Sequence, residues 1–406
     1  MKILIFSQHF WPESFRINDI AIELSKRGHT IDVVTGKPNY PEGNFFDGYK
    51  SSGFSNEYWN NISIYRFPIV SRGNKTHIRL SLNYLSFIFS TLIFAPIILR
   101  KKSYDVIFVY GVSPIFQVLP ASFFGWLKNI PVVLWVQDLW PQSVQATGYI
   151  KSKFILKMLE YLVKYSYSHT DLLLVQSKSF IKFVAKLAPK IPVKYYPNSV
   201  DKIFYNQVKD KTINIKSLES GFNIIFAGNI GTAQSIETIV KAAEKLLPFK
   251  KIKFIFFGNG SKYNWLLDIK KSKSLDNIFI EGRYPVETMP AFMRKASVLL
   301  VSLKNEPIFS LTVPNKIQAY LAVGKPIIAS MNGEGARIID ESKAGISVPA
   351  EDPNSLVDAI MYLYKLTNRE RSQLGKNGRS FFKKNYDEDL LVNDLCNHLM
   401  SVFSEK

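Results

Sequence analysis

Residues 223–261 read NIIFAGNIGTAQSIETIVKAAEKLLPFKKIKFIFFGNGS. The segment 223–227 is a short run dominated by apolar residues, the mark of a strand buried on both faces. Residues 235–247 have helical length and spacing, and 253–257 form a second apolar strand. Two glycine turns, Gly228-Asn229-Ile230-Gly231 and Gly258-Asn259-Gly260-Ser261, follow the two strands. Strand, helix and strand in that order predict a parallel sheet covered by helices.

The alternation extends both ways. Downstream, strands are expected at 278–281, 298–303 and 326–330, with helices near 286–295 and across 316–323. Upstream, they are expected at 3–7, 31–35, 106–110, 132–136 and 172–175, with helices including 114–128 and 153–167. Residues 201–220 are polar and lysine-rich and read as a linker. The expectation is an α/β chain of two Rossmann-like, doubly wound parallel-sheet domains facing a cleft. They would span 1–200 and 201–385, with a last helix at about 386–406 packing back on the first. Ligands of such sheets bind at the carboxyl ends of the strands.

At 47% hydrophobic and 21% charged, the 406 residues are neither disordered nor collagen-like. A lone cysteine, Cys396, cannot form an internal bridge, so no oxidising compartment is required. The opening Met1-Lys2-Ile3-Leu4-Ile5-Phe6 reads as a first strand rather than a secretory signal. The net charge is +19, and residues 1–200 hold 23 basic and 11 acidic side chains against 29 and 22 in the remainder. A polyanionic partner follows: nucleic acid, an anionic membrane, or phosphorylated small molecules. Residues 78–99, IRLSLNYLSFIFSTLIFAPIIL, precede Arg100-Lys101-Lys102, and lysines recur from Lys151 to Lys194. Their uninterrupted apolar part, 85–99, is shorter than the roughly 20 residues of a spanning helix. It reads as a core helix or as one lying in the bilayer interface.

Chemistry is sought in the loops after strands. Gly228–Gly231 and Gly258–Gly260 would let backbone amides approach a phosphate, or would simply be tight turns. Val313-Pro314-Asn315-Lys316 opens a helix and offers free amides, a dipole and one cation. Ser7-Gln8-His9-Phe10-Trp11-Pro12-Glu13-Ser14 follows the first strand, with Ser14 a plausible helix cap. Exposed Phe10 and Trp11 would need a ligand or the facing domain to cover them. Asp138, after the strand 132–136, is either a functional carboxylate or a helix cap. Five histidines and one cysteine show no metal-ligand spacing.

Together these residues resemble GT-B glycosyltransferases of family 4, and within them bacterial N-acetyl-L-fucosamine transferases of O-antigen and capsule synthesis. The resemblance rests on Gln8-His9-Phe10-Trp11-Pro12-Glu13, Thr35-Gly36-Lys37-Pro38-Asn39-Tyr40-Pro41, Asp138-Leu139-Trp140-Pro141 and Pro197-Asn198-Ser199-Val200-Asp201. Ala227-Gly228-Asn229-Ile230-Gly231, the run 313–322 and Gly324-Lys325-Pro326-Ile327-Ile328 complete it. It implies a retaining, metal-independent enzyme with no cofactor. A UDP-sugar donor would sit on the second domain and a lipid-diphosphate-linked saccharide acceptor on the first. The enzyme would lie on the cytoplasmic face of the inner membrane, against anionic lipid, with no nucleic acid involved.

By the same resemblance, Gly228, Asn229, Gly231, Asn315 and Lys316 would hold the diphosphate. Gly258, Gly260 and Arg283 would lie near the nucleoside, and Glu306 would face the donor sugar. The loop around Glu13 would close over the site, with His9 and Asp138 handling the acceptor or its proton. The family's two glutamates, eight positions apart, are replaced here by Leu311 and Ala319. Glu306, Gln318 or Glu334 are candidates to take over their contacts. Two rivals stand beside this reading: a UDP-sugar 2-epimerase of the same architecture, and a nucleic-acid binder suggested by charge alone.

Overall fold

A computed structural model describes residues 1–74, 76–146, 150, 152–206 and 215–404. They divide into two compact units, Met1–Pro197 together with the last helix, and Asn198–Glu388. Of the expected linker, residues 207–214 lie outside the described residues, as does Lys151.

The first unit runs β1 Lys2–Phe6, α1 Arg16–Lys26, β2 Thr30–Gly36, β3 Ser55–Trp59, β4 Ile62–Phe67 and α2 His77–Ile98. It continues with β5 Val106–Gly111, α3 Val118–Lys128, β6 Val132–Val136, α4 Gln142–Ala146, α5 Lys153–Ser168, β7 Leu172–Val175, α6 Lys178–Leu187 and β8 Val193–Tyr195. Among the described residues its sheet has the order β3-β4-β2-β1-β5-β6-β7-β8. Every pair is parallel except β3–β4. This hairpin, unforeseen in the sequence, turns at Asn60-Asn61, both with positive φ (49° and 62°), the geometry that suits a tight hairpin.

Strand order reverses direction at β1, so right-handed crossovers send α1 to one face and α2, α3, α5 and α6 to the other. The packing agrees. Residues of α1 and of the last helix, including Leu391, Leu395 and Leu399, share a core with Ile3, Ile31, Val106 and Trp135. Phe124 of α3 instead meets Phe6 from the opposite side (ring centroids 6.5 Å apart).

The second unit runs β9 Phe222–Ala227, α7 Ile236–Lys245, β10 Ile252–Phe257, α8 Tyr263–Ser272, β11 Ile278–Gly282, α9 Met289–Arg294 and β12 Val298–Ser302. Then come α10 Pro307–Leu311, α11 Asn315–Val323, β13 Ile327–Ser330, α12 Glu334–Ser342, β14 Gly345–Val348, α13 Pro353–Lys365 and α14 Asn368–Asn385, after which α15 Glu388–Ser404 returns to the first unit. Its sheet is β11-β10-β9-β12-β13-β14, parallel throughout the described residues. The four inner strands β10, β9, β12 and β13 are buried almost throughout because helices cover both faces, while the edge strands β11 and β14 are mostly half-buried.

Candidate active site

In the second unit the two glycine turns press against each other at the carboxyl ends of β9 and β10. Gly228 and Gly258 have φ of +127° and +140°. A Cβ on Gly258 would stand 1.9 Å from the Gly228 carbonyl oxygen, and one on Gly260 2.4 Å from that of Ile230. Gly228 N donates to Phe257 O (2.8 Å) and Ile230 N to Asn259 O (2.9 Å). Backbone contact between the turns therefore demands these glycines whatever else they do. A single 3₁₀ turn, Thr232–Gln234, separates the first loop from α7, which begins at Ile236, within one residue of the expected start at 235. Asn229 is exposed and donates to Gln234 Oε1 (3.3 Å), and a Cβ on Gly231 would lie 2.5 Å from Asn229 Nδ2.

Lys316 lies in the first turn of α11 and reaches into this corner. Its Nζ is withdrawn from solvent and has no hydrogen-bond partner among the described residues. It sits 3.7 Å from the centroid of the Phe226 ring. A Cβ on Gly228 would fall 2.6 Å from Lys316 Cε, so the glycine is also what makes room for the lysine. Burial pushes the ammonium down to about 7. An unpaired buried cation is costly, and an arriving anion relieves that cost. Tyr320, one turn on, accepts from Ala227 N (3.0 Å) and pins α11 against the end of β9. Phe226 and Tyr320 were not singled out from the sequence, where they are indistinguishable from core residues.

The neighbouring candidates border this corner. Asn315 is exposed at the start of α11. Arg283 is exposed directly after Gly282, whose carbonyl accepts from Gly258 N (2.7 Å). Glu306 is exposed just before α10. Its loop is tied to the glycine turn through Lys304 N donating to Ala233 O (2.9 Å). Of the substitutes considered for the missing glutamates, Glu334 is engaged by Arg337 through two bonds of 2.8 and 3.0 Å. Gln318 is fully buried, with neither amide atom paired among the described residues.

In the first unit His9 and Glu13 are both buried, and His9 Nδ1 donates to Glu13 Oε2 (2.8 Å). Glu13 Oε1 accepts from the amides of Asn39 and Tyr40, each at 2.7 Å. His9 stacks on Phe15 (4.9 Å between centroids). Glu13 is thus held by three donors of its own unit. Ser14 does not cap α1 either; the capping position is Phe15, and no side chain bonds there. The loop is held instead by Asn18, which accepts from Trp11 N and donates to Glu13 O.

Phe10 and Trp11 need no ligand to cover them. Phe10 packs edge-on and Trp11 stacks (5.1 Å) against Trp59 of β3, the strand missed in the sequence. Fully buried Arg66 bridges Glu57 (2.7 Å) and the Trp11 carbonyl, tying loop to hairpin.

Asp138 stands at the end of β6, with only β5 between that strand and β1. It caps no helix. It accepts from Ser113 Oγ (2.8 Å), which in turn accepts from Trp140 Nε1 (2.9 Å). Burial raises its pKa, and the Ser113 bond only partly opposes that. A carboxyl raised in the folded state stabilises the fold at low pH and loses that contribution as pH rises through its folded value. Asp138→Asn should therefore melt at increasingly higher temperature than the parent as pH goes from 4 to 7. A constant difference across that range would count against a desolvated carboxyl. Among the described residues, no three His, Cys, Asp or Glu side chains come together in a group that could hold a metal.

Two sequence-family models match the chain. Glycosyltransferase Family 4 covers residues 15–202, and Glycosyl transferases group 1 covers 221–366. A Pseudomonas aeruginosa protein described as a probable glycosyltransferase, WbjE, is 27% identical over 84% of both chains. Escherichia coli K12 WcaI, named for colanic acid biosynthesis, is 23% identical over 80% of this chain and 82% of its own. Among solved structures, sucrose-phosphate synthase of Thermosynechococcus elongatus superposes with a TM-score of 0.76 at 15% identity, over the whole of both chains. Anabaena HepE, solved with UDP, gives 0.70 at 12% identity, over 99% of this chain and all of its own.

Proposed function

Because the chain is a glycosyltransferase of the GT-B type, we propose that it moves a sugar from a UDP-sugar to a polyprenyl-diphosphate-linked saccharide in surface-polysaccharide synthesis. N-acetyl-L-fucosamine is the leading donor sugar, by the sequence resemblance. The carrying observation is the Lys316 corner: an unpaired buried ammonium beside exposed glycine backbone, at the ends of parallel strands. It suits a diphosphate whose leaving charge is met by a cation and amides, without a metal. HepE in its UDP complex and WcaI by its name lend support. Both family models and both relatives are glycosyltransferases, so the epimerase alternative lapses.

Retention of anomeric configuration is part of the proposal. In it, Arg283 and Glu306 serve the donor, and His9 and Asp138 serve the acceptor. His9, held by Glu13 with its proton on Nδ1, keeps the Nε2 lone pair for an acceptor hydroxyl proton. A screen of UDP-, GDP- and dTDP-sugars against a GlcNAc-diphosphate-lipid mimic, read by mass, tests this. The expected product is one added sugar from a UDP donor. Transfer only from GDP or dTDP donors, or a new nucleotide sugar formed without acceptor, would overturn it.

A further inference from the structure

We propose that the α2–α3–α5 layer of the first unit is a docking face for an anionic bilayer, anchored by Trp126, Phe154 and Tyr161. Among the described residues, 15 of the 24 exposed large apolar side chains lie on these three helices. On α2 they form one ridge, from Ile78 through Phe89 to Ile97, at spacings of three or four residues. Trp126 of α3 is 76% exposed, and Phe154 and Tyr161 of α5 are 79% and 69% exposed. The opposite side of α2 is held down: Asn83 donates to Val70 O (2.6 Å) and accepts from Gln8 Nε2 (2.8 Å), and Phe87 and Ala95 are buried. By length and composition α2 could cross a membrane. Seated on the sheet along its buried stripe, it lies flat instead, like an interfacial helix.

Charge identifies the occupant. The four helices on this face, α2, α3, α5 and α6, carry eight lysines and arginines and one acidic residue, Glu160. Lys128 Nζ donates to the Arg100 carbonyl (2.6 Å), which draws Arg100-Lys101-Lys102 to the edge of the same layer. The other face is different. There α15 has no lysine or arginine and three acidic residues, and α1 has two of each sign. A second copy of the chain would bring like charges together, whereas anionic headgroups complement them. Tryptophan and tyrosine suit the headgroup level, where one end of the side chain is apolar and the other wet. The docking face extends the reading of a lipid-linked acceptor and is tested apart from it.

The experiment is cosedimentation of the full chain with phosphatidylcholine vesicles, with and without phosphatidylglycerol. Binding is expected only with the anionic lipid, weakening as salt rises. Each of Lys153→Gln and Lys157→Gln should weaken it roughly five-fold. The double variant Trp126→Ser, Phe154→Ser should weaken it at least ten-fold, while Tyr362→Ser, at an exposed aromatic of α13 on the other unit, leaves it unchanged. Equal effects from all these variants, no binding by the parent, or a dimer abolished by Trp126→Ser would each overturn the docking face. Transfer to a soluble acceptor without vesicle binding sinks the face and spares the transferase reading. Vesicle binding without transfer of any kind sinks the substrate reading and spares the face.

Discussion

Lys316→Met should lower kcat/KM for the donor by two to three orders of magnitude, the usual cost of removing one preorganised partner of a developing charge. UDP affinity measured by calorimetry should fall with it. The same substitution should stabilise the empty protein. With a folded value of about 7, far below the roughly 10.4 of an exposed lysine, the unfolded chain binds this proton more readily. The burden is therefore full below pH 7 and is relieved as pH rises toward 10. Lys316→Met should raise the melting temperature clearly at pH 6.5 and little at pH 10. A bound diphosphate, by contrast, favours the charged form. Parental UDP affinity should thus fall by up to about ten-fold per pH unit above 7, a slope absent in the variant. Unchanged UDP affinity in Lys316→Met would remove the donor seat; a lower melting temperature at pH 6.5 would mean that the ammonium has a partner.

The second large effect concerns the His9–Glu13 pair, where two substitutions should separate. Glu13→Ala strips their acceptor from three donors, the buried His9 Nδ1 and Asn39 amide and the part-buried Tyr40 amide. Such a loss is expected to cost about 3–5 kcal/mol of stability. His9→Gln leaves both amide bonds to Glu13 in place. It should melt within a few degrees of the parent, yet transfer about 100-fold more slowly if His9 takes the acceptor proton. Equal melting of the two variants in urea would show that Glu13 does not organise the loop. Full activity in His9→Gln would take the histidine out of proton handling and leave it a packing residue against Phe15.

Much of the architecture was legible because it is local. A parallel strand buried on both faces is an uninterrupted apolar run, and the runs ending at Ala227 and Phe257 could be read without neighbours. The strands β3 and β4 could not. At the edge of a sheet β3 is only half-buried, so Ser55–Trp59 carries no apolar block. Missing that hairpin misplaced the cover of Phe10 and Trp11: Trp59 comes from more than 45 positions away. Asn83, a polar residue within the apolar segment 78–99, finds its partners in Gln8 and Val70, which no local pattern links to it.

The candidate residues divide along the same line. The sequence by itself determined the two stacks of α/β units, the glycine turns at their strand ends and the lysine opening α11, since each follows from composition over a few adjacent positions. Only the tertiary structure decided that Lys316 is unpaired against Phe226, that Glu13 is a buried acceptor of three hydrogen bonds, and that one helical layer keeps its apolar ridge and its lysines outward. Burial, and with it the cost of a charge or the worth of an exposed aromatic, depends on what packs nearby from distant parts of the chain. No local pattern records that.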